Sequence, residues 1–340
     1  MRLTVEAARD LAVSAMRAVG HGVDDARLIA DHLIDCELRG VTYGGLARAI
    51  SIAERVARTG VSQAPIRVTK ETPVSASLDG GDHIGYVVAH RATQLVIEKA
   101  SASGIAIVGA HNTWYTGMLS YYAEMAAAHG LVSIIASNAS PWVAPHGASE
   151  GRFGTNPICV GFPCTAGSEA DADNAQSVIW DIGTSAIMHA EVALAQRLGQ
   201  QLPDDVAFDA AGQPTRDPAA ALQGAFAAWG GHKGSGLGIV VQLLGALAGS
   251  PAIPPEMAGF GMIIIAIRPD LLTDAKEFQR AVAGYAESVR GARPVAGGSP
   301  VRMPFDRSRA ERRRRLAEDA IEVADAVHRK LLDIAKECAP

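Results

Sequence analysis

Apolar residues recur at helical spacing through the first sixty positions of the chain. Ala7, Leu11, Val13, Ala15 and Val19 share one helical pattern that Thr4 opens and Gly20 ends. Asp24 opens a second pattern, with Leu28, Ile29, Leu33 and Ile34 on one face, and residues 46–56 form a third that stops near Gly60. Beyond this helical lobe the period shifts back and forth between two and 3.6. Strands are predicted at residues 74–78, 105–108, 131–136, 158–162, 178–182 and 261–267. Helices are predicted at 86–100, 118–129, 185–198, 234–247 and 275–289, and one or two more at 310–338. Asp79-Gly80-Gly81-Asp82 has turn composition, and residues 138–156 and 293–304 are loops. Residues 166–176 form an exposed insertion and 203–218 a turn-rich surface segment. The pattern is an α/β chain in which helices at 1–75, joined by others at 305–340, flank a core at 76–304.

The 340 residues are 48% hydrophobic and 20% charged, enough to bury a large core. A net charge of -5 gives no electrostatic reason to expect nucleic acid or an anionic membrane as partner. Arg312 to Arg315 is a basic run, but Glu311, Glu318 and Asp319 flank it, as on a solvated helix face. Four cysteines, Cys36, Cys159, Cys164 and Cys338, match no zinc or redox spacing and fit a reducing cytoplasm. The first residues lack the apolar stretch of a signal peptide, and no apolar run is long enough to cross a membrane.

No Gly-x-Gly-x-x-Gly follows an early strand, so the sequence offers no Rossmann fingerprint. Gly234-Ser235-Gly236-Leu237-Gly238 opens a helix behind Lys233. It suits either a phosphate at a helix N-terminus or a tight helix contact. Gly154-Thr155-Asn156-Pro157 precedes a strand, and Asp181-Ile182-Gly183-Thr184-Ser185 links a strand to a helix. Asp181 is placed to accept from ribose hydroxyls or from local backbone. The ten histidines form no metal motif, and no Gly-x-Ser-x-Gly elbow is present.

Taken together these strings resemble the malate/L-lactate dehydrogenase family, whose relatives include ureidoglycolate and sulfolactate dehydrogenases and piperideine/pyrroline-2-carboxylate reductases. In order they are Arg39-Gly40-Val41 with Arg48, Asp79-Gly80 with Gly85, and Gly117 with Tyr121-Tyr122-Ala123. Then come Gly154 to Pro157, Asp181 to Ser185, Leu202-Pro203, Gly212-x-Pro214-Thr215 and Gly231-His232-Lys233-Gly234. They span nearly the whole chain. The resemblance implies a non-Rossmann, sulfolactate-dehydrogenase-like α/β fold that binds NAD or NADP in the 76–304 core, and a homodimer with sites near the subunit interface. It implies hydride transfer at the carbon beside the carboxylate of a small 2-oxo acid, with Arg48 and Thr155 at the substrate. Asp181, Ile182, Gly183, His232, Lys233 and Gly234 match cofactor-binding stretches, and Glu191 falls where some relatives carry an acidic partner to a histidine.

Two positions depart from the family. Tyr43-Gly44-Gly45 stands where it has Ser-His-Gly, and Tyr115 stands where it has a proton-donating histidine. Tyr115 is therefore the candidate acid, with Tyr43 as a second phenol and His111 as a rival. A phenol with an unperturbed pKa of about 10 is protonated at neutral pH and able to donate. A cyclic imino acid, which can arrive already protonated, needs less from such a group. A homologue that binds nucleotide or carboxylate without catalysis is the alternative from another class. Trp114, Trp142 and Trp229 flank the site segments.

Overall fold

The computed structural model describes residues 1–164 and 177–336. A short strand β1 (Arg2–Leu3) leads into helices α1 (Val5–Ala18), α2 (Val23–Leu38) and α3 (Leu46–Thr59). The Thr4 hydroxyl accepts from the Ala7 N–H at 3.1 Å, satisfying a donor that the start of α1 would otherwise leave free. There follow β2 (Arg67–Thr72), β3 (Ser75–Ile84), α4 (Gly85–Ser103), β4 (Ile105–Trp114), α5 (Leu119–Ala128), β5 (Val132–Ser137), β6 (Ile158–Phe162) and β7 (Val178–Ile182). Next are α6 (His189–Leu198), β8 (Ala207–Phe208), α7 (Pro218–Gln223), β9 (Ala225–Phe226), α8 (His232–Leu247) and β10 (Phe260–Ile267). The described chain ends with α9 (Ala275–Arg290), α10 (Asp306–Ala317), β11 (Ile321–Glu322) and α11 (Asp325–Lys336).

Seven strands form one sheet in the order β2-β3-β4-β10-β5-β6-β7. Only β3 and β4 are parallel, with α4 as their crossover, and every other neighbour is antiparallel. A doubly wound dinucleotide-binding sheet is mostly parallel, so this one has another topology. β10 is almost entirely buried because both sheet faces are covered, which its unbroken apolar run anticipates. On one face Val88, Ala92 and Val96 of α4 and Leu119, Tyr122 and Ala123 of α5 join the core. On the other, Val241 of α8 packs with Ala136 and Ile263.

The lobe has its own core, in which Met16, Ile29, Leu33 and Ile52 meet Leu331 and Ile334 of α11. β1 pairs with β11, placing Leu3 opposite Ile321. Arg312 reaches Asp35 at 2.7 Å and an Arg315 nitrogen donates to the Glu37 carbonyl at 2.7 Å. The basic run is thus a solvated face only in part, because two of its arginines clamp α10 to α2.

Several boundaries differ from the pattern. The sheet begins at β2, inside the span expected for the lobe. β2 is exposed along its whole length, so no apolar alternation marks it. Asp79 to Asp82 is an irregularity within β3 and not a turn, since pairing with β4 resumes at His83 after a register shift. β4 runs on to Trp114, past the expected end at 108. Helix α6 begins only at His189, because Ser185 bridges to Ala228 instead. The expected insertion at 166–176 and the helix end at 337–338 lie outside the described residues.

Asp35 accepts from Arg39, whose side chain is 3% exposed, at 2.6 Å and also serves Arg312. Asp35→Asn removes the counter-charge from a buried guanidinium, and urea unfolding should show a loss of about 3 kcal/mol. A loss under about 1 kcal/mol would show that Glu124 alone satisfies Arg39.

Candidate active site

Arg48 and Arg55 lie two turns apart on α3 and so point the same way. Their guanidiniums stack on two successive aromatic rings at the end of β4. Arg55 lies 4.4 Å from the centroid of Trp114 and Arg48 lies 4.2 Å from that of Tyr115. The two charges have different fates. An Arg55 nitrogen donates to both Asp82 carboxylate oxygens at 2.8 Å. Arg48 has no carboxylate partner among the described residues. It lines a cavity of about 430 Å³ with its cation unmatched.

Tyr115 holds its place through an unusual backbone. Its φ of 52° is left-handed, which a bulky residue rarely adopts. The next residues are pinned from beneath. The buried Tyr122 hydroxyl donates to the Thr116 carbonyl at 2.8 Å, and the Met118 N–H donates to His32 Nε2 at 2.9 Å. Gly85 is needed on the other side, since a Cβ there would lie 2.7 Å from the Tyr115 carbonyl oxygen.

Tyr43, Gly44, Thr155, Asp181 and Gly183 line the same cavity as Arg48 and Tyr115. Burial pushes the Tyr43 phenol up in pKa, with Glu191 adding to the rise. Burial also raises the Asp181 pKa against hydrogen bonds from α5. One Asp181 oxygen accepts from the Ser120 N–H at 2.7 Å, so this carboxyl caps α5 from the strand beside it. The bond to local backbone expected of it is present.

The remaining expected cofactor residues are not brought in. Ile182 does not line the cavity. His232 and Lys233 are exposed in the first turn of α8, and Gly234 is buried against Trp229. The turn connects to the Asp181 segment only through backbone, where the Trp229 N–H donates to the Thr184 carbonyl at 2.9 Å. His111 is outside the cavity, and Glu191 folds back to accept from the Met188 N–H at 2.8 Å. Of the three tryptophans, Trp142 lines the cavity, Trp114 is buried behind Tyr115 and Trp229 is half exposed.

Two cavity residues carried no signal in the sequence. His189 stacks on Trp142 with ring centroids 4.2 Å apart. Burial, and then the charge of Arg48, lower its pKa to about 3. Arg307 is exposed in the first turn of α10 and forms no ion pair among the described residues. A histidine in a helical stretch and an arginine in a basic helix look ordinary until the fold turns them inward. The arrangement offers an unmatched cation beside aromatic walls for an organic carboxylate. Thr155, Gly183, Trp180 and Arg307 also line the cavity and add polar, flat and cationic groups that suit a dinucleotide.

The comparisons with known proteins agree over almost the full length. Residues 3–332 match the family described as malate/L-lactate dehydrogenase. The chain is 32% identical over 348 aligned positions to an L-sulfolactate dehydrogenase of Methanothermobacter thermautotrophicus, covering 99% of this chain and 97% of that one. It is 35% identical to a Delta(1)-pyrroline-2-carboxylate/Delta(1)-piperideine-2-carboxylate reductase of Pseudomonas putida, over 66% of this chain and 65% of the other. A crystal structure of a dehydrogenase from Sinorhizobium meliloti superposes with a TM-score of 0.89 at 31% identity, covering 98% of each chain.

The helix that carries Arg48 rests on a buried acid. Glu37 Oε1 accepts from the Leu46 N–H, at the start of α3, at 2.7 Å. Burial raises the Glu37 pKa to about 7. The folded protein therefore binds more protons here than the unfolded chain, whose glutamates titrate near 4.5. Stability from this group is present at low pH and is lost as pH rises through about 7, by about 3 kcal/mol in all. Glu37→Gln should narrow the difference in Tm between pH 5 and pH 8; an unchanged difference would mean that Glu37 is not the group that titrates.

Proposed function

The chain belongs to the malate/L-lactate dehydrogenase family, and from that premise we propose that it reduces a small 2-oxo acid to the 2-hydroxy acid. The uncommitted charge of Arg48 carries this reading. A guanidinium meets a carboxylate through two parallel hydrogen bonds, fixing both the position and the plane of the substrate. When bound, NADH or NADPH supplies the hydride. The lobe contributes Arg48 and the core contributes Asp181, so the substrate lies between the two. Tyr115, held under Arg48, donates the proton to the developing alkoxide, and Tyr43 lies within the same cavity. Thr155 and Gly183 border the cofactor. Arg307 and Arg302 line a groove that meets the cavity at Arg307, and this suits the extra phosphate of NADPH. Cys36 and Cys159 are buried free thiols, in keeping with a reducing compartment such as the cytoplasm.

A cyclic imino acid is the second substrate class. Tyr86, Tyr115, Trp142 and Phe260 give the cavity aromatic walls that fit an apolar ring beside the anchored carboxylate. A purely ligand-binding role is not favoured, since the family is one of dehydrogenases and reductases.

A homodimer completes the proposal. One stripe of α8 is apolar and exposed, with Leu243 at 59% and Leu247 at 71%, and Ile239 and Val240 extend it. A second copy would cover this stripe. Sedimentation should show a dimer that Leu243→Asp splits; a wild-type monomer would remove it.

Purified protein with NADH or NADPH and a panel of 2-oxo and cyclic imino acids tests the chemistry. Arg48→Lys should raise KM for the acid about 100-fold, with the cofactor Kd unchanged by fluorescence titration. Tyr115→Phe should lower kcat about 100-fold at similar KM. Cofactor binding without turnover across the panel would support the binding role instead.

A further inference from the structure

The cavity holds one polar group with no evident structural task. His189 is the first residue of α6, and its ring is fixed from one side by the stack on Trp142. Trp142 is itself anchored, because its Nε1–H donates to Glu256 at 3.0 Å. The imidazole therefore has a set plane, yet its nitrogens are unspent. Nδ1 is enclosed and has no hydrogen-bond partner, which leaves Nε2 as the nitrogen open to the cavity. A ligand in the cavity can therefore meet the ring only through Nε2.

We propose that His189 donates a hydrogen bond from Nε2 to the oxygen, or the imine nitrogen, that gains electrons during the reduction. This rests on the reading of Arg48 as the carboxylate anchor.

Three surroundings hold the ring neutral. They are burial, the charge of Arg48, and the positive end of the α6 dipole. A neutral imidazole has one N–H to place. An enclosed N–H without an acceptor is worse than an enclosed lone pair, so the proton belongs on Nε2. That N–H is a fixed dipole aimed into the cavity, and such a donor stabilises an oxygen as charge builds on it.

The electron count is simple. As the hydride adds to the carbon beside the carboxylate, the C=O π pair moves onto oxygen and the substrate is reduced by two electrons. The dihydronicotinamide is oxidised by the same two. The oxygen takes one proton from the Tyr115 phenol, which recovers it from water. His189 keeps its proton throughout.

The test uses the full-length protein with NADPH. His189→Ala should lower kcat about 100-fold, with KM for the 2-oxo acid and the cofactor Kd within about threefold. His189→Gln, which places an amide N–H near Nε2, should recover about tenfold of that loss. Independently of turnover, oxamate with oxidised cofactor should move one histidine Nε2 resonance in 15N NMR spectra, and the His189→Gln spectrum should lack it. If His189→Ala does not fold, the Gln variant and the resonance shift decide. An unchanged kcat in either variant, or a stationary resonance, overturns the proposal. A wild-type protein that turns over nothing in the panel defeats the reading of function. A resonance shift in that case would leave His189 as a ligand contact only, which also ends its catalytic role.

Discussion

One guanidinium whose charge is left unmatched is what the rest of the site is built around. Arg48 and Arg55 share a helix, a direction and an aromatic floor, and differ in a single respect. Asp82 takes the charge of Arg55, and nothing among the described residues takes that of Arg48. Stacking on Tyr115 holds the head group without neutralising it, so the side chain is oriented while its hydrogen-bond donors stay free. The strained backbone at Tyr115, the absence of a side chain at Gly85 and the buried His32 and Tyr122 all fix the ring on which that cation rests.

Several other buried charges have partners within the protein. Asp35 serves two arginines, Glu124 meets Arg39, and Asp181 is occupied by the start of α5. Arg48, whose charge is unmatched among the described residues, and His189 line one cavity. Arg307 lies at its border. An unmatched charge on a cavity wall suits a ligand of opposite charge.

Much of this was legible in the sequence where burial was one-sided. The lobe helices and most sheet strands follow from apolar spacing, and the order of short motifs pointed to the family. Arg48, Tyr115, Thr155, Asp181 and Gly183 were all singled out and do share a cavity. What failed was local. β2 is polar on both faces, and the glycines at 80 and 81 bend β3 without ending it, so neither periodicity nor composition could place them. His232 and Lys233 match a motif by spacing, and spacing does not say that both are exposed in the first turn of α8. His189 was invisible for the opposite reason. Its surroundings are set by Trp142, Glu256 and Arg48, which come from three distant parts of the chain.

The seating of α3 against α11 has a consequence for how the molecule is made. Ile52 of the helix bearing Arg48 shares a core with Leu331 and Ile334, which the ribosome adds long after. The sheet can assemble from segments already released, but the early helices have no finished surface to settle on until the late ones arrive. Such non-local closure slows folding. A nascent chain can thus own a well-formed sheet while Arg48 still lacks a foundation, and the cavity wall it forms settles only once α11 has been made.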